Sequence, residues 1–271
     1  MEICRTDPLE HEFTEVIRSI ADMPKMLYFR GKLPEKRGVA VAIVGSRKLT
    51  RYGESVAYEL AYGLARRGCV VVSGLAYGVD AVAHRGCLDA GGVAVAVLAT
   101  SVDRISPAGN VRLGREILDA GGAILSEYGS DFEGLMPMRA RFVQRNRIVS
   151  GLADVVIVVE AAAGSGSLTT ARFALEQGRE LWAAPGDITR PMSAGCNDLI
   201  GSGRARCVMS VATTIEAICG GGGGGKKQMT LMLDEVERMA HDGLGKEEII
   251  EKTGLDAGEV MRRMTLAELS R

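Results

Sequence analysis

The chain has 271 residues, of which 46% are hydrophobic and 25% are charged, and its formal net charge at pH 7 is −1. This length suits one large domain with a smaller one, and the composition is that of an ordinary globular protein. The near-zero net charge argues against a protein that coats nucleic acid over its whole surface, although it leaves room for a local basic patch.

Signals for secretion, membrane insertion or metal binding are not visible in the sequence. The N-terminal stretch is acidic and lacks an apolar h-region, and no uninterrupted apolar run approaches membrane-spanning length. None of the six cysteines forms a C-x-x-C pair, and the three histidines cluster with none of them. We therefore expect a cytoplasmic protein with reduced thiols, no membrane contact, no metal and no cofactor.

Residues 1–38 form a polar lead-in that holds three of the seven prolines. A short helix is predicted near 12–20, and an extended stretch follows it. From Val39 onward, short β-branched runs alternate with amphipathic segments of helical length. The runs are "VAVAIVG", "CVVVSG", "VAVAVLAT", "AILSEYG", "DVVIVVEA", "ELWAAPGD" and, more weakly, "RCVMS". Continuous apolar strands that alternate with helices predict an α/β domain over 39–219, an extended Rossmann-like, doubly wound and mostly parallel sheet.

Six consecutive glycines at 220–225 predict a flexible linker after this domain. The remaining segment, 226–271, is predicted to form three short helices, and "KEEIIEKTGLDAGEVMRRMTLAEL" has the pattern of a helix-turn-helix. It holds eight basic and ten acidic residues, a net charge of −2. That balance favours protein contact or regulation over DNA binding, although Arg262 and Arg263 could still contact phosphate.

Three glycine-rich turns follow predicted strands. They are Gly45-Ser46-Arg47, the stretch that begins at Ser73 and Gly74 and ends at Asp80, and the loop Gly164-Ser165-Gly166-Ser167. The carboxyl ends of the strands share one edge of a doubly wound sheet, so all three turns should line one crevice. Exposed N–H groups and helix N-termini at such turns bind anions.

Specific nucleotide-binding motifs are missing from these turns. The sequence G-x-x-x-x-G-K-[ST] does not occur, which argues against a Walker-type NTPase, and no turn gives a clean G-x-G-x-x-G after the first strand. Any one of these turns alone is as consistent with a tight chain reversal as with a ligand site. The three together, one of them carrying Arg47, favour an anion site.

The segment Pro137–Ala153 contains four arginines and no acid. The arginines are Arg139, Arg141, Arg145 and Arg147. Phe142 stands among them. Arginine forks bind phosphates, and an aromatic ring can stack on an unpaired base, so this composition suits a binder of single strands. The alternative is a helix with Phe142 and Ile148 in the core and its arginines in solvent.

Candidates for catalysis are few. Asp80 and His84 share a helix face and could form an acid–base pair, but a helix cap and a buried, hydrogen-bonded histidine are the preferred interpretation. Glu127 and Glu160 each end a predicted strand and could point into the crevice, where they would orient Arg47 or the basic segment. No pairing of a nucleophile with a base is apparent.

Taken together, these stretches resemble the bacterial DNA-processing protein A family, DprA, also called Smf. The resemblance rests on "VAIVGSRKLTRYG", "VVSGLAYGVDAVAH", "ILSEYG", "FVQRNRIVSGLADVVIVVEA", "GSGSLTTARFALEQGRELWAAPGDI" and "GCNDLIGSG", in this order, and it covers roughly 24–219. One departure is Val143, which stands where the family usually has proline. The segment 226–271 resembles a truncated form of the family's winged-helix module.

The resemblance implies a Rossmann-like domain that binds single-stranded DNA, forms a homodimer and helps to load the RecA recombinase in natural transformation, without enzymatic turnover. It also implies the DNA-binding residues. They are Gly45, Ser46, Arg47, Ser73, Gly74, Arg139, Phe142, Arg145, Asn146, Arg147, Ser165, Gly166 and Ser167, with Phe142 as the base-stacking ring.

Two other functions stay open. The first is a nucleotide N-glycosidase like the phosphoribohydrolases, which carry a P-G-G-x-G-T-x-x-E loop at the comparable place. This chain has Gly164–Thr170 there, with threonine in place of the acid that the chemistry needs. The second is that the C-terminal segment binds a partner and dominates function.

Overall fold

The computed structural model describes residues 2–130, 136–220, 239, 245–255, 257 and 260. Contacts divide the chain into two compact units, Met1–Cys219 and Gly220–Arg271. None of the helices within these described residues is both long and apolar enough to cross a membrane.

The first unit is built on one nine-stranded sheet. Its strands are β1 (Cys4–Thr6), β2 (Leu27–Gly31), β3 (Ala40–Val44), β4 (Val70–Ser73), β5 (Ala94–Val97), β6 (Ala123–Ser126), β7 (Val155–Val158), β8 (Glu180–Ala183) and β9 (Arg206–Cys207). Strands β3 to β9 are the seven apolar runs of the sequence, so each of these predicted strands is confirmed.

The strand order is β1-β2-β6-β5-β4-β3-β7-β8-β9. From β3 the chain adds β4, β5 and β6 towards one edge, and then returns to place β7 on the other side of β3. Every pairing within the run β6-β5-β4-β3-β7-β8-β9 is parallel. The pairings of β1 with β2 and of β2 with β6 are antiparallel. The predicted fold class, a doubly wound and mostly parallel α/β sheet, is therefore confirmed. Its topological switch point lies between β3 and β7, where such folds bind ligands.

Helices cover both faces of the sheet. They are α1 (Arg51–Arg66), α2 (Val79–Asp89), α3 (Val111–Asp119), α4 (Met138–Leu152), α5 (Gly166–Glu176), α6 (Ala194–Gly201) and α7 (Val211–Cys219). Alternate residues of β3 point to opposite faces: Ala40, Ala42 and Val44 pack with α4, α5 and α6, while Val41 and Ile43 pack with α1, α2 and α3. Because both faces are buried, the strands are apolar at every position.

The segment 1–38 adds strands β1 and β2 to the same sheet, next to β6. Where a short helix is predicted near 12–20, a 3-10 helix covers Glu15–Ser19. The side chains of Phe13 and Ile17 are fully buried in the core that includes α4. This segment therefore completes one face of the core.

The second unit contains α8 (Lys246–Thr253), which ends at Gly254 with a φ of 67°. Ile249 and Val260 are buried together in a small apolar cluster of that unit. Apart from Gly220, the predicted linker at 220–225 lies outside the described residues, as does most of the predicted helix-turn-helix. Both stay predictions.

Candidate functional site

The three glycine-rich turns line a single crevice of about 850 Å³ at the carboxyl edge of the sheet, as predicted. The turns follow β3, β4 and β7, the strands around the switch point, and α4 forms the opposite wall. The crevice brings together most of the predicted site residues: Gly45, Ser46, Arg47, Gly74, Arg139, Phe142, Arg145, Asn146, Ser165, Gly166 and Ser167.

The first turn is tightly constrained by its neighbours. The Ser46 N–H donates to the Glu160 carbonyl at 2.7 Å, and the Ser46 hydroxyl bonds both backbone groups of Lys48. A Cβ on Gly45 would lie 2.7 Å from a methyl carbon of Val79, so only glycine fits there. The turn leaves the side chains of Arg47 and Lys48 exposed at the crevice.

Arg47 makes a cation–π contact with Phe142. Its guanidinium carbon lies 4.7 Å from the ring centroid, and that of Arg145 lies 6.0 Å away. The Phe142 ring is half-buried at the crevice, whereas Ile148, further along α4, is fully buried in the core. The alternative in which Phe142 belongs to the core is therefore wrong, and the ring is in a position to meet a ligand.

Arg145 is buried, and its hydrogen bonds hold the second turn in place. It donates to the carbonyl oxygens of Gly74 and Val97, the latter at 2.7 Å. A Cβ on Gly74 would overlap the guanidinium, at 1.8 Å from Nη1. Burial lowers the pKa of Arg145, and the nearby Asp80 carboxylate opposes that shift.

Two predicted site residues lie away from the crevice. Arg147 is buried and pairs with Glu127 through two hydrogen bonds of 3.2 and 2.8 Å, and it also donates to the Asp22 carbonyl. Ser73 is fully buried and donates its hydroxyl hydrogen to the Ile43 carbonyl at 2.7 Å. In this structure both side chains stabilise the fold, and neither is placed to contact a ligand in the crevice.

The third turn presents the N-terminus of α5 to the crevice. Ser165 is the N-cap, with its hydroxyl 2.8 Å from that of Ser167, and Gly164 takes a φ of 78°. The Asn146 amide donates to the Gly166 carbonyl at 3.2 Å, which ties α4 to this turn. The hydroxyls and the dipole at the helix N-terminus favour a bound anion.

The acidic candidates are engaged in structural contacts. Glu160 is buried and accepts hydrogen bonds from the Thr50 hydroxyl at 2.7 Å and the Thr50 N–H at 2.9 Å, where α1 begins. Glu127 holds Arg147 of the basic segment, one of the two orienting roles predicted for it. The expectation that these two carboxylates point into the crevice is wrong.

Asp80 and His84 do not form an acid–base pair. Asp80 accepts the N–H groups of Gly74 and Ala76, which close the second turn, and burial raises the pKa of its carboxyl. His84 is fully buried, and neither ring nitrogen has a hydrogen-bond partner among the described residues, contrary to the predicted hydrogen-bonded histidine. Burial, aided by Arg145, lowers the pKa of His84 to about 3.

Sequence reasoning missed some of the crevice wall. Lys48, Thr169 and Met192 also line it. Lys48 was detectable, because it follows Arg47 in a turn predicted to bind anions. Met192 was not, since it reaches the crevice only through the fold of the loop after β8. Within the described part of the chain, no three histidine, cysteine or acidic side chains gather as a metal site would require.

Fold and site together define a class: a Rossmann-like protein with an open, cationic crevice at its switch point, suited to anions and containing an aromatic ring. The chain belongs to the DNA recombination-mediator protein A family, whose model matches residues 6–219. The family resemblance seen in the sequence is thereby confirmed.

Individual relatives agree with this assignment. Protein Smf of Escherichia coli is 43% identical over 197 residues, which are 72% of this chain and 52% of the relative. The X-ray structure of DprA from Streptococcus pneumoniae has a TM-score of 0.71 at 36% identity, over 79% of this chain and 74% of the other. This chain therefore spans about half the length of the E. coli relative.

A second matching structure belongs to a relative that was described for its DNA binding. DNA processing protein A from Helicobacter pylori, described for its single-stranded DNA binding mode, matches with a TM-score of 0.70 at 33% identity. The match covers 80% of this chain and 96% of that protein.

Proposed function

We propose that this chain binds single-stranded DNA in the crevice and releases it chemically unchanged. The observation that carries the proposal is the placement of Arg47 over Phe142 at an open crevice, because a cation and a ring held together can bind a phosphate and an adjacent base at once. The single-stranded DNA binding described for the H. pylori relative supports it.

The backbone of the strand would be bound by groups from each wall. Arg47 and Arg139 are exposed at the crevice and supply positive charge. The N-terminus of α5, with the hydroxyls of Ser165 and Ser167, supplies donors for a phosphate. These groups recognise phosphate in any sequence, so binding should depend on salt and little on base identity.

Phe142 would give the protein its preference for single-stranded over double-stranded DNA. Its ring is half-buried at the crevice, with the guanidinium groups of Arg47 and Arg145 nearby. A splayed base can stack there, whereas paired bases in a duplex are already stacked and turned inward. The preference for single strands should therefore depend on this ring.

The absence of turnover is part of the proposal. It is supported by the engagement of Asp80, Glu127 and Glu160 in contacts that hold the fold. An N-glycosidase would need a free carboxylate near the third turn, where the chain has Thr169 and Thr170. Release of free base from a nucleoside monophosphate by the purified protein would revive that alternative.

The wider role proposed is cytoplasmic, as a homodimer that transfers the bound strand to a RecA-type recombinase. Membership of a recombination-mediator family supports it. A chain truncated after Cys219, at the boundary of the first unit, tests the C-terminal segment. If recombinase loading persists unchanged in this truncation, the segment is accessory, and if loading is lost, the segment contacts the partner.

The deciding experiment is a salt titration of binding to matched single-stranded and double-stranded oligonucleotides by fluorescence anisotropy. We expect tighter binding to the single strand and an affinity that falls steeply with salt, because each phosphate contact releases counterions. Equal affinity for both forms would remove the proposed role of Phe142, and no affinity for either would refute the function.

A further inference from the structure

The turn after β4 holds an exposed aromatic side chain that the crevice itself does not include. Tyr77 is 49% exposed, in a turn whose Gly74 and Ala76 line the crevice wall. We propose that Tyr77 is a second stacking platform, which binds a base of the single strand where it leaves the crevice. This inference rests on the proposed function and extends it to a path across the protein surface.

The position of Tyr77 next to Arg47 follows from the packing of Gly78. A Cβ on Gly78 would lie 2.2 Å from the Ser46 carbonyl oxygen and 2.8 Å from Cα of Arg47. The Val79 N–H also donates to the Ser46 carbonyl at 3.1 Å. The backbone beside Tyr77 is therefore pressed against the first turn. Arg47, the residue after Ser46, contacts the Phe142 ring, so the turn that carries Tyr77 lies beside the turn that carries the cation.

The backbone of this turn is strained at Leu75. Leu75 takes a φ of 55°, the one positive value found for a described residue other than glycine, although its side chain is fully buried. The positive φ is energetically unfavourable for a bulky residue such as leucine, and such strain is concentrated at functional sites. Here it directs the chain so that Leu75 points into the core while Tyr77 points into solvent.

The turn is also held rigidly. Asp80 accepts the N–H groups of Gly74 and Ala76, and the Asn110 amide donates to the carbonyls of Leu75 and Ala76 at 2.8 and 3.1 Å. Four backbone groups of the turn are thus bonded by two buried side chains. A rigid turn loses little entropy on binding, which is what a platform for a flexible strand needs.

One side of the Tyr77 ring is supported and the rest is open. The Gly109 N–H donates to the Tyr77 hydroxyl at 3.3 Å, and a Cβ on Gly109 would lie 2.9 Å from the ring. One edge of the ring and its hydroxyl therefore contact the Gly109 backbone, which restricts the ring, while about half of the residue is exposed to solvent. An exposed ring held in this way loses few side-chain degrees of freedom when a base stacks on it.

The test measures anisotropy of labelled oligothymidine with the full-length protein and its Tyr77→Leu and Tyr77→Phe variants. Tyr62→Leu is the matched control, since Tyr62 is 40% exposed on α1 and stacks on Tyr58, outside the crevice. We expect Tyr77→Leu to weaken binding by about fivefold or more, and Tyr77→Phe and Tyr62→Leu to stay within about twofold of the wild type.

Two further readouts separate base stacking from other roles. The salt dependence of binding should keep its slope in Tyr77→Leu, because no phosphate contact is lost, whereas Arg47→Ala should reduce it by about one. On an oligonucleotide without bases, the wild type and Tyr77→Leu should bind equally. A deficit that persists on that backbone, or an equal deficit in Tyr77→Phe, would overturn the proposal.

The outcomes also distinguish this inference from the function on which it depends. Wild-type and Tyr77→Leu proteins that bind oligothymidine equally well would overturn the second platform alone. A wild type without affinity for oligothymidine would overturn both. Thermal unfolding of each variant checks that Leu at this exposed site leaves the fold intact.

Discussion

The guanidinium carbon of Arg47 lies 4.7 Å from the centroid of the Phe142 ring, although the two residues come from the turn after β3 and from α4. The contact joins the two walls of the crevice. It fixes the relative position of a charge and a ring, the two groups that a nucleotide strand would use.

Replacing Arg47 by alanine should weaken binding of single-stranded oligonucleotides several-fold without unfolding the protein. The side chain is exposed, so its loss would remove the proposed phosphate contact and leave no buried group unpaired. Anisotropy titrations at several salt concentrations measure the affinity and its salt slope, and circular dichroism checks the fold. Arg112→Ala, which removes a 90% exposed arginine of α3, is the control. Wild-type affinity in a folded Arg47→Ala protein would refute this site.

Replacing Phe142 by leucine should reduce the preference for single over double strands, while tyrosine at the same place should largely preserve it. Leucine keeps an apolar side chain but loses the stacking face, which is worth about 1–3 kcal/mol per base. The measurement is the ratio of affinities for a matched single strand and duplex. The prediction fails if Phe142→Leu and Phe142→Tyr give the same ratio.

Arg147→Met should destabilise the protein rather than impair its site. The Arg147 and Glu127 side chains are 6% and 13% exposed, and loss of the arginine leaves this carboxylate without its cation, at a cost of about 3–5 kcal/mol. Urea denaturation measures this loss, and anisotropy on the folded protein should show affinity close to that of the wild type. A second change, Glu127→Gln, should recover part of the stability because it removes the unpaired charge.

If Arg147→Met instead weakened DNA binding with unchanged stability, Arg147 would be a direct DNA contact. The pairing of Arg147 with Glu127 would then not be its main role.

His84→Leu should reduce the decrease in the free energy of unfolding that occurs as the pH falls. Burial lowers the pKa of His84 from its usual 6.5 to about 3. Between these pH values the unfolded chain binds a proton that the folded protein does not bind. This contribution to stability is fully present above pH 6.5 and is lost as pH falls towards 3. At pH 5 the loss amounts to about 2 kcal/mol. Urea denaturation at several pH values should show that difference between wild type and variant, and parallel pH profiles would contradict it.

Much of the fold follows from the sequence alone. The seven apolar runs from Val39 onward became strands β3 to β9, because a strand buried on both faces needs an apolar residue at every position. The alternation of these runs with helical segments determined the parallel, doubly wound sheet. The three glycine-rich turns met at one edge because parallel strands bring their carboxyl ends together.

Strands β1 and β2 were decided by the tertiary structure. Leu27–Gly31 lies in the stretch predicted to be extended, but its place in the sheet comes from pairing with β6, nearly a hundred residues further along the chain. Such an edge depends on a partner that is brought alongside by the rest of the fold. Local sequence therefore carries little signal for it.

The availability of the arginines was also decided by tertiary structure. By sequence, Arg139, Arg145 and Arg147 are equivalent cations in one basic segment. Successive side chains of an α-helix are rotated by about 100°, so these three arginines leave α4 in different directions. Arg139 reaches the crevice, while Arg145 and Arg147 are buried with partners supplied by β4, β5 and β6 and their turns. The sequence determined that positive charge would gather beside the glycine turns, and only packing decided which charges remain free to meet a strand, because a buried guanidinium must be satisfied by the protein itself.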